Sequence, residues 1–274
     1  LPTKAISRVL LEITQDGLGL PIEVPLIIAK GKKPGPVCGI TAALHGNEVN
    51  GIPVIHRLME KVKLSKLRGT IVGVAPVNVP SYLVHRRRFT DHVDLNHIMP
   101  GTADGNVSDV YGYRVLDKIV RHFDYLIDLH TASFGRINSL YVRADMSDPD
   151  TAKMAYLQHP QIILHNPPSD HTLRGAAMEL GIPAITVEVG DPHVFQPKYI
   201  RASLRGVRRV LSEFGLTKKR PEVVDPAPIL CQRSYWLYTD HGGLLEVFPE
   251  ITEIVEAGQP IARVKNIFGD VVCE

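Results

Sequence analysis

Apolar residues over the first 215 positions follow two alternating patterns. Nearly continuous runs rich in Val, Ile and Leu occupy residues 22–29, 37–44, 70–77, 125–129, 139–142, 161–164 and 184–189. Such runs predict strands, several of them buried on both faces. Between them apolar positions recur every three or four residues, as in Ile52, Ile55, Leu58, Met59 and Val62, in Val115, Leu116, Ile119 and Val120, and in Ile200, Leu204, Val207 and Leu211. That period predicts amphipathic helices. Gly181 and Gly215 stand just past two of these segments, where a left-handed residue ends a helix. Strand–helix alternation on this scale predicts an α/β domain with a mixed, mostly parallel central sheet flanked by helices.

The pattern changes at Lys218-Lys219-Arg220. Residues 221–228 hold three prolines and no helical period, which predicts a linker, with the α/β domain covering 1–220 and a small β domain 221–274. Short apolar runs at 229–238, 243–247, 253–255 and 261–264, separated by Gly and Pro, predict a small all-β, barrel-like module that Glu274 leaves incomplete.

Composition narrows the function. Among 274 residues, 44% are hydrophobic and 22% charged, which excludes disorder as a description of the chain. Thirty-one basic against 29 acidic side chains leave +2, too little for a general attraction to nucleic acid or an anionic membrane. The basic run Arg86-Arg87-Arg88 lacks an aromatic platform, and Arg201, Arg205, Arg208 and Arg209 read as the solvated face of a helix. Cys38, Cys231 and Cys273 are widely separated and odd in number, which fits no disulfide framework and suits a reducing, cytoplasmic compartment. No run approaches the roughly 18–20 apolar residues of a membrane span. A first residue that is Leu leaves a removed leader open.

The chemistry concentrates at strand ends. In Gly39-Ile-Thr-Ala-Ala-Leu-His45-Gly-Asn-Glu48 an apolar strand gives way to an imidazole and a carboxylate three residues apart. Ligands of α/β sheets bind beyond the carboxyl ends of the strands. His nitrogen and Glu oxygen are zinc ligands, and a catalytic zinc takes three protein ligands and keeps an open position. His-x-x-Glu alone is common on surfaces without a metal, so a third ligand is needed, and Tyr125-Leu-Ile-Asp-Leu-His130-Thr supplies a second strand-end imidazole. In Thr186-Val-Glu188-Val-Gly190 a carboxylate sits within an apolar strand, where it is costly unless paired, protonated or beside a cation. Next to zinc it would take a proton from water and return it to a leaving group. Asp94, in Asp94-Leu-Asn96-His97, suits the carboxylate that fixes the tautomer of a ligating histidine.

These motifs in this order, together with His-Thr-Leu-Arg174, resemble the succinylglutamate desuccinylase/aspartoacylase family of the zinc carboxypeptidase-like superfamily. The resemblance spans roughly residues 20–215, and the β module is similar to the second domain of the same enzymes. It implies His45, Glu48 and His130 as ligands of one Zn2+ per chain, Glu188 as general base and acid, and Asp94 as partner of the first ligand. It implies Arg88 as the arginine that polarises the scissile carbonyl, with Arg86 and Arg87 as competitors. Asn96 and Arg174 resemble contacts to a substrate carboxylate. His97 stands where the family carries Arg, and an imidazole does not make the bidentate fork of a guanidinium. An aspartate-like or succinylglutamate-like substrate is thereby in doubt, while amide hydrolysis is not. Tyr235 and Tyr238 are the candidates for a tyrosine closing the site from the β module.

The implied activity is zinc-dependent hydrolysis of a small N-acylated amino acid or amine, with no nucleic-acid or membrane partner; the sequence leaves the oligomeric state open, a homo-oligomer included. The alternatives are a carboxypeptidase- or esterase-type zinc hydrolase and a non-catalytic metal-binding sensor. Gly242-Gly243 and Gly258-Gln-Pro260 resemble turns of biotinyl/lipoyl-like barrels, but Lys265 lies in no carrier context, so a structural or site-capping module is expected.

Overall fold

In a computed structural model of the chain, residues 1–133, 135–218 and 227–274 are described. They form two compact units, Leu1–Gln232 and Arg233–Glu274. Most of the linker expected at 221–228 lies outside the described residues.

The first unit is built on a nine-stranded sheet. Its strands are β1 (Ala5–Gln15), β2 (Pro21–Lys30), β3 (Lys33–Ala42), β4 (Arg68–Val74), β5 (Tyr125–His130), β6 (Leu140–Ala144), β7 (Ile162–His165), β8 (Ala184–Val189) and β9 (Ile229–Cys231). Their spatial order is β1-β2-β4-β3-β5-β8-β6-β7-β9. β4, β3, β5 and β8 run parallel, while β2 and β6 enter antiparallel beside β4 and β8. The expected mixed, mostly parallel sheet is therefore present.

Helices α1 (Gly51–Lys61), α4 (Pro149–Leu157) and α6 (Pro197–Glu213) cover one face. Ile55, Met154 and Val207 pack there with Ile40, Ile127, Ile185 and Val187. On the other face α3 (Val107–Lys118) and α5 (Leu173–Glu179) bring Tyr111, Val115, Leu173 and Ala177 against Leu126 and Ala184. Because side chains alternate along a strand, Asp128 and His130 share the face of Leu126, and Thr186 and Glu188 that of Ala184. That face is apolar at one end of β5 and β8 and polar at the carboxyl end. Every residue of β8 is buried, so its glutamate is confined to a packed environment.

Several expected strands are shorter than their apolar runs. The run 37–44 stops pairing at Ala42, since Ala43 takes a positive φ of 55° and turns the chain out of the sheet. The half-exposed β1 carries no long continuous apolar run, because its burial alternates. Helix α4 is short and weakly periodic; its signal is the cap, where Asp148 accepts the Thr151 N–H ahead of Pro149.

The boundary between units falls at Gln232/Arg233, later than the expected 220/221, because Ile229–Cys231 pairs in parallel with β7 instead of joining the β module. The second unit is a three-stranded antiparallel sheet of β10 (Leu244–Val247), β11 (Ala262–Lys265) and β12 (Val271–Cys273). The strands expected over 232–238 and 253–255 are irregular, with Tyr235, Leu237, Tyr238 and Ile254 largely exposed and without a ladder to join.

One glycine ties this fold to the loop after β3. A Cβ on Gly46 would lie 2.1–2.3 Å from the backbone of Ser81 and Tyr82, in the short helix α2 (Val79–Leu83). Main chain cannot rotate away as a side chain can. Gly46→Ala is therefore expected to destabilise the protein by about 1–3 kcal/mol, the usual penalty of overpacking, read as a lower urea midpoint at unchanged m-value.

Candidate metal centre

The turn after β3 places His45 and Glu48 over the ends of β3 and β5. It is held by backbone bonds from Val77 and Asn78 to the carbonyls of Ala42 and Ala43. The Asn78 amide adds a bond to the Leu44 carbonyl. On the far side Asn50 donates to Val189 O at 2.8 Å and accepts the Gln196 N–H, fastening the turn to the segment after β8. His130 is the last residue of β5, in register with Glu188 of β8.

Three donors converge. His45 Nδ1 lies 2.8 Å from Glu48 Oε1, and His130 Nδ1 lies 3.0 Å from Glu48 Oε2. Ligand atoms of the three residues all lie within 4.8 Å of one another, and all three residues are buried. The outer ring nitrogens are held by carboxylates: His45 Nε2 is 3.0 Å from Asp94 Oδ1 and His130 Nε2 is 2.8 Å from Asp128 Oδ2. Asp128 also accepts the Thr41 hydroxyl at 2.6 Å, and Glu48 Oε2 accepts the Thr131 N–H at 3.0 Å. A ring that donates Nε2–H to a carboxylate presents a bare Nδ1 on its other side, the tautomer a metal ligand requires.

The donor set fits a divalent cation. Two imidazole lone pairs aimed at one buried carboxylate repel unless positive charge lies between them. In the chain by itself protons and an arginine supply that charge. Burial opposes protonation of both imidazoles, but Glu48 and Asp94 raise the pKa of His45, and Asp128 and Glu48 raise that of His130 well above its ordinary 6.5. In turn burial is overcome at Glu48 by His45 and His130, and at Asp94 by His45 and Arg87, so that both carboxyls are held well below the usual range. Arg87 adds a guanidinium, with Nη1 2.8 Å from Glu48 Oε1 and 3.1 Å from His45 Nδ1, and Nε 2.9 Å from Asp94 Oδ2.

Glu188 differs from the other carboxylates. Its Oε2 is buried with no hydrogen-bond partner among the described residues, and its Oε1 lies 3.8 Å from Arg143 Nε. Burial pushes its pKa up to about 7, with Glu48 adding to the shift and His130 and Arg143 opposing it. An acid that ionises near neutrality and has an uncommitted oxygen is equipped to exchange a proton.

The remaining expected residues are placed as follows. Arg87, not Arg88, reaches the centre; Arg88 gives its backbone carbonyl to the Ser81 hydroxyl at 2.7 Å and its side chain is exposed. Asn96 Oδ1 accepts the Leu173 N–H at the start of α5. His97 is 70% exposed, 4.0 Å from Asp94. Arg174 is buried against Asp170 and the Pro167 carbonyl, so its guanidinium is already committed. Tyr235 and Tyr238 belong to the second unit and are exposed. Asp128, Tyr141 and Arg143 are not among the expected site residues. Their signal was the strand period, which puts Asp128 on the face of His130 and puts Tyr141 and Arg143 opposite Leu140 and Val142.

The sheet gathers at its strand ends a His-Glu-His group that could hold a metal ion, with a buried glutamate in register beside it. Residues 34–214 match the succinylglutamate desuccinylase/aspartoacylase catalytic domain, and the chain belongs to that family. Its relatives are deacylases. It is 25% identical over 259 residues to the N-alpha-acetyl-L-2,4-diaminobutyric acid deacetylase of Halomonas elongata, covering 90% of this chain and 75% of that enzyme. It is 27% identical over 170 residues to the succinylglutamate desuccinylase of Pseudomonas paraeruginosa, covering 57% of this chain and 51% of that one. The fold is similar to the ectoine utilization protein EutE (DoeB) of Ruegeria pomeroyi, with a TM-score of 0.86 at 19% identity over 97% of this chain and 86% of that one. A succinylglutamate desuccinylase from a Silicibacter species gives 0.83 at 21% identity, over 100% and 89%. Among the described residues no helix is long and apolar enough to cross a membrane.

The raised pKa of His130 has a measurable consequence. A histidine whose folded pKa exceeds its unfolded one adds stability below the unfolded value, and that stability is lost as pH rises through the folded value. In metal-free protein the His130 imidazole is expected to titrate above 6.5, and Asp128→Asn to move that titration down, followed by NMR of the ring resonances.

Proposed function

We propose that the protein is a zinc-dependent deacylase that hydrolyses the amide bond of a small N-acylated amino acid. The observation that carries this reading is the convergence of His45 Nδ1, Glu48 and His130 Nδ1 beside a buried Glu188 oxygen without a hydrogen-bond partner among the described residues. Two imidazoles and one carboxylate make the ligand set of catalytic zinc, which leaves a coordination position open. The named deacetylase and desuccinylase relatives supply the reaction class.

Zinc bound at these donors supplies Lewis acidity towards an acyl oxygen and lowers the pKa of water at the site towards about 7. The chain's own groups do the rest. Glu188 accepts a proton from the water that attacks the acyl carbon. The Arg87 guanidinium, whose Nη1 is released from Glu48 once a divalent charge replaces it there, donates N–H to the carbonyl oxygen as negative charge builds on it. When the C–N bond breaks, Glu188 gives its proton to the departing nitrogen. The products are a carboxylate and a free amine, with water as the second reactant. Asp94 and Asp128 keep both imidazoles in the ligating tautomer throughout.

Ionised Glu188 is the active form, so kcat/KM is expected to rise with pH along its titration. That carboxyl ionises at about 7 without a metal, and a neighbouring divalent charge lowers it. Metal analysis followed by a panel of N-acetyl and N-succinyl amino acids tests the reading. Glu188→Gln is expected to keep its zinc and to lose about 10²- to 10⁴-fold in turnover; full activity would reassign the base. Zinc bound by wild type without turnover of any amide would favour a sensor. Arg87→Met is expected to lower kcat by about 10²- to 10³-fold, whereas the same change at Arg88 is expected to cost far less.

A further inference from the structure

We infer that Arg143 holds the carboxylate of the substrate's amino-acid half, the half that departs as the amine. This rests on the deacylase reading above and adds the residue that selects the substrate. Tyr141 of β6 is in register with Glu188, which is in register with His130 across β8. One step along, Arg143 is opposite Thr186, which is opposite Asp128. All six side chains therefore share one sheet face. β6 borders the centre on the side of Glu188, two strand spacings or about 10 Å from the strand that carries His130.

The guanidinium is built into this wall. Nε and Nη2 donate to the Tyr141 hydroxyl at 3.2 and 2.9 Å, and Nη1 donates to Asn166 Oδ1 at 3.5 Å. Burial pushes the Tyr141 phenol up to about 12, so it accepts these bonds without cancelling the charge. Asn166 in turn donates to Asp170 at 3.2 Å, and Asp170 pairs with the buried Arg174. The arginine expected to touch substrate thus braces the one that is placed to do so. Of the five N–H groups of Arg143, one on each terminal nitrogen engages none of the described residues, and the side chain is 35% exposed. Two such N–H groups on a planar fork match a carboxylate.

Direction follows from Glu188. The group that returns a proton to the departing nitrogen must face the amine half, and Arg143 Nε lies 3.8 Å from that carboxylate. The other cations are differently disposed: Arg87 lies against Glu48 and Asp94, and His97 is an exposed imidazole.

The test compares three substrates of the zinc-loaded full chain: the N-acetyl amino acid best turned over, its carboxamide, and an N-succinyl amine whose only carboxylate is on the acyl side. Wild type is expected to prefer the first over the second. In Arg143→Met, kcat/KM for the first falls about 10- to 100-fold, mainly through KM, the range of a lost charged hydrogen bond. The carboxylate-to-carboxamide ratio collapses towards one, and calorimetric binding of the product amino acid weakens in parallel. Arg143→Lys, which keeps the charge without the fork and carries the test if the Met variant misfolds, falls between. Equal losses of kcat on both substrates, with a shifted acid limb of the pH profile, would make Arg143 only a positioning residue for Glu188 and overturn the inference. So would a loss confined to the N-succinyl amine. A wild type that hydrolyses no amide at all sinks the deacylase reading itself, and is told apart because no variant is needed to see it.

Discussion

Two imidazole nitrogens, each about 3 Å from the same buried carboxylate, call for positive charge among them, and much of the molecule is arranged around that requirement. The protein does not relieve the conflict by separating the groups. It tightens the arrangement with two more carboxylates, Asp94 and Asp128, one behind each ring. Each of these is itself anchored, by the Asn96 N–H and Arg87 in one case and by the Thr41 hydroxyl in the other. Such a group has a strong appetite for a cation and a rigid geometry in which to receive it.

The sheet makes this possible. Parallel strands covered by helices on both faces must be apolar through most of their length, and polar side chains are tolerated only where the strands end. On the face shared by Leu126 and Ala184 the change from apolar to polar takes one step along β5 and one along β8. The loop between β3 and α1 then has to bring His45 and Glu48 back over those ends. It does so with a positive-φ residue at Ala43 and a side-chain-free position at Gly46, where the backbone of Ser81 and Tyr82 leaves no room for a Cβ.

The arginines around the centre differ in what surrounds each one. Arg87 lies against Glu48 and Asp94 at the edge of the His-Glu-His group. Arg174 is sealed into a wall with Asp170 and has no freedom left. Arg143 stands between these extremes, braced on one edge and open on the other. Three guanidiniums of identical chemistry thus differ in burial and partners alone.

The amino-acid sequence by itself determined the α/β class, the strand-end positions of His45, His130 and Glu188, and the grouping of His45 with Glu48. Apolar runs and their terminations are local properties, and a costly polar residue in such a run stands out without a structure. The family resemblance then brought in distant residues, Asp94 among them. Only the tertiary structure decided which of three consecutive arginines faces the centre, where Arg87 meets Glu48 and Asp94. It likewise decided that Arg174 is spent on Asp170 and that β6 enters antiparallel beside β8 to place Arg143 near Glu188. Strand order and register depend on contacts between segments tens of residues apart, and no periodicity within either segment records them.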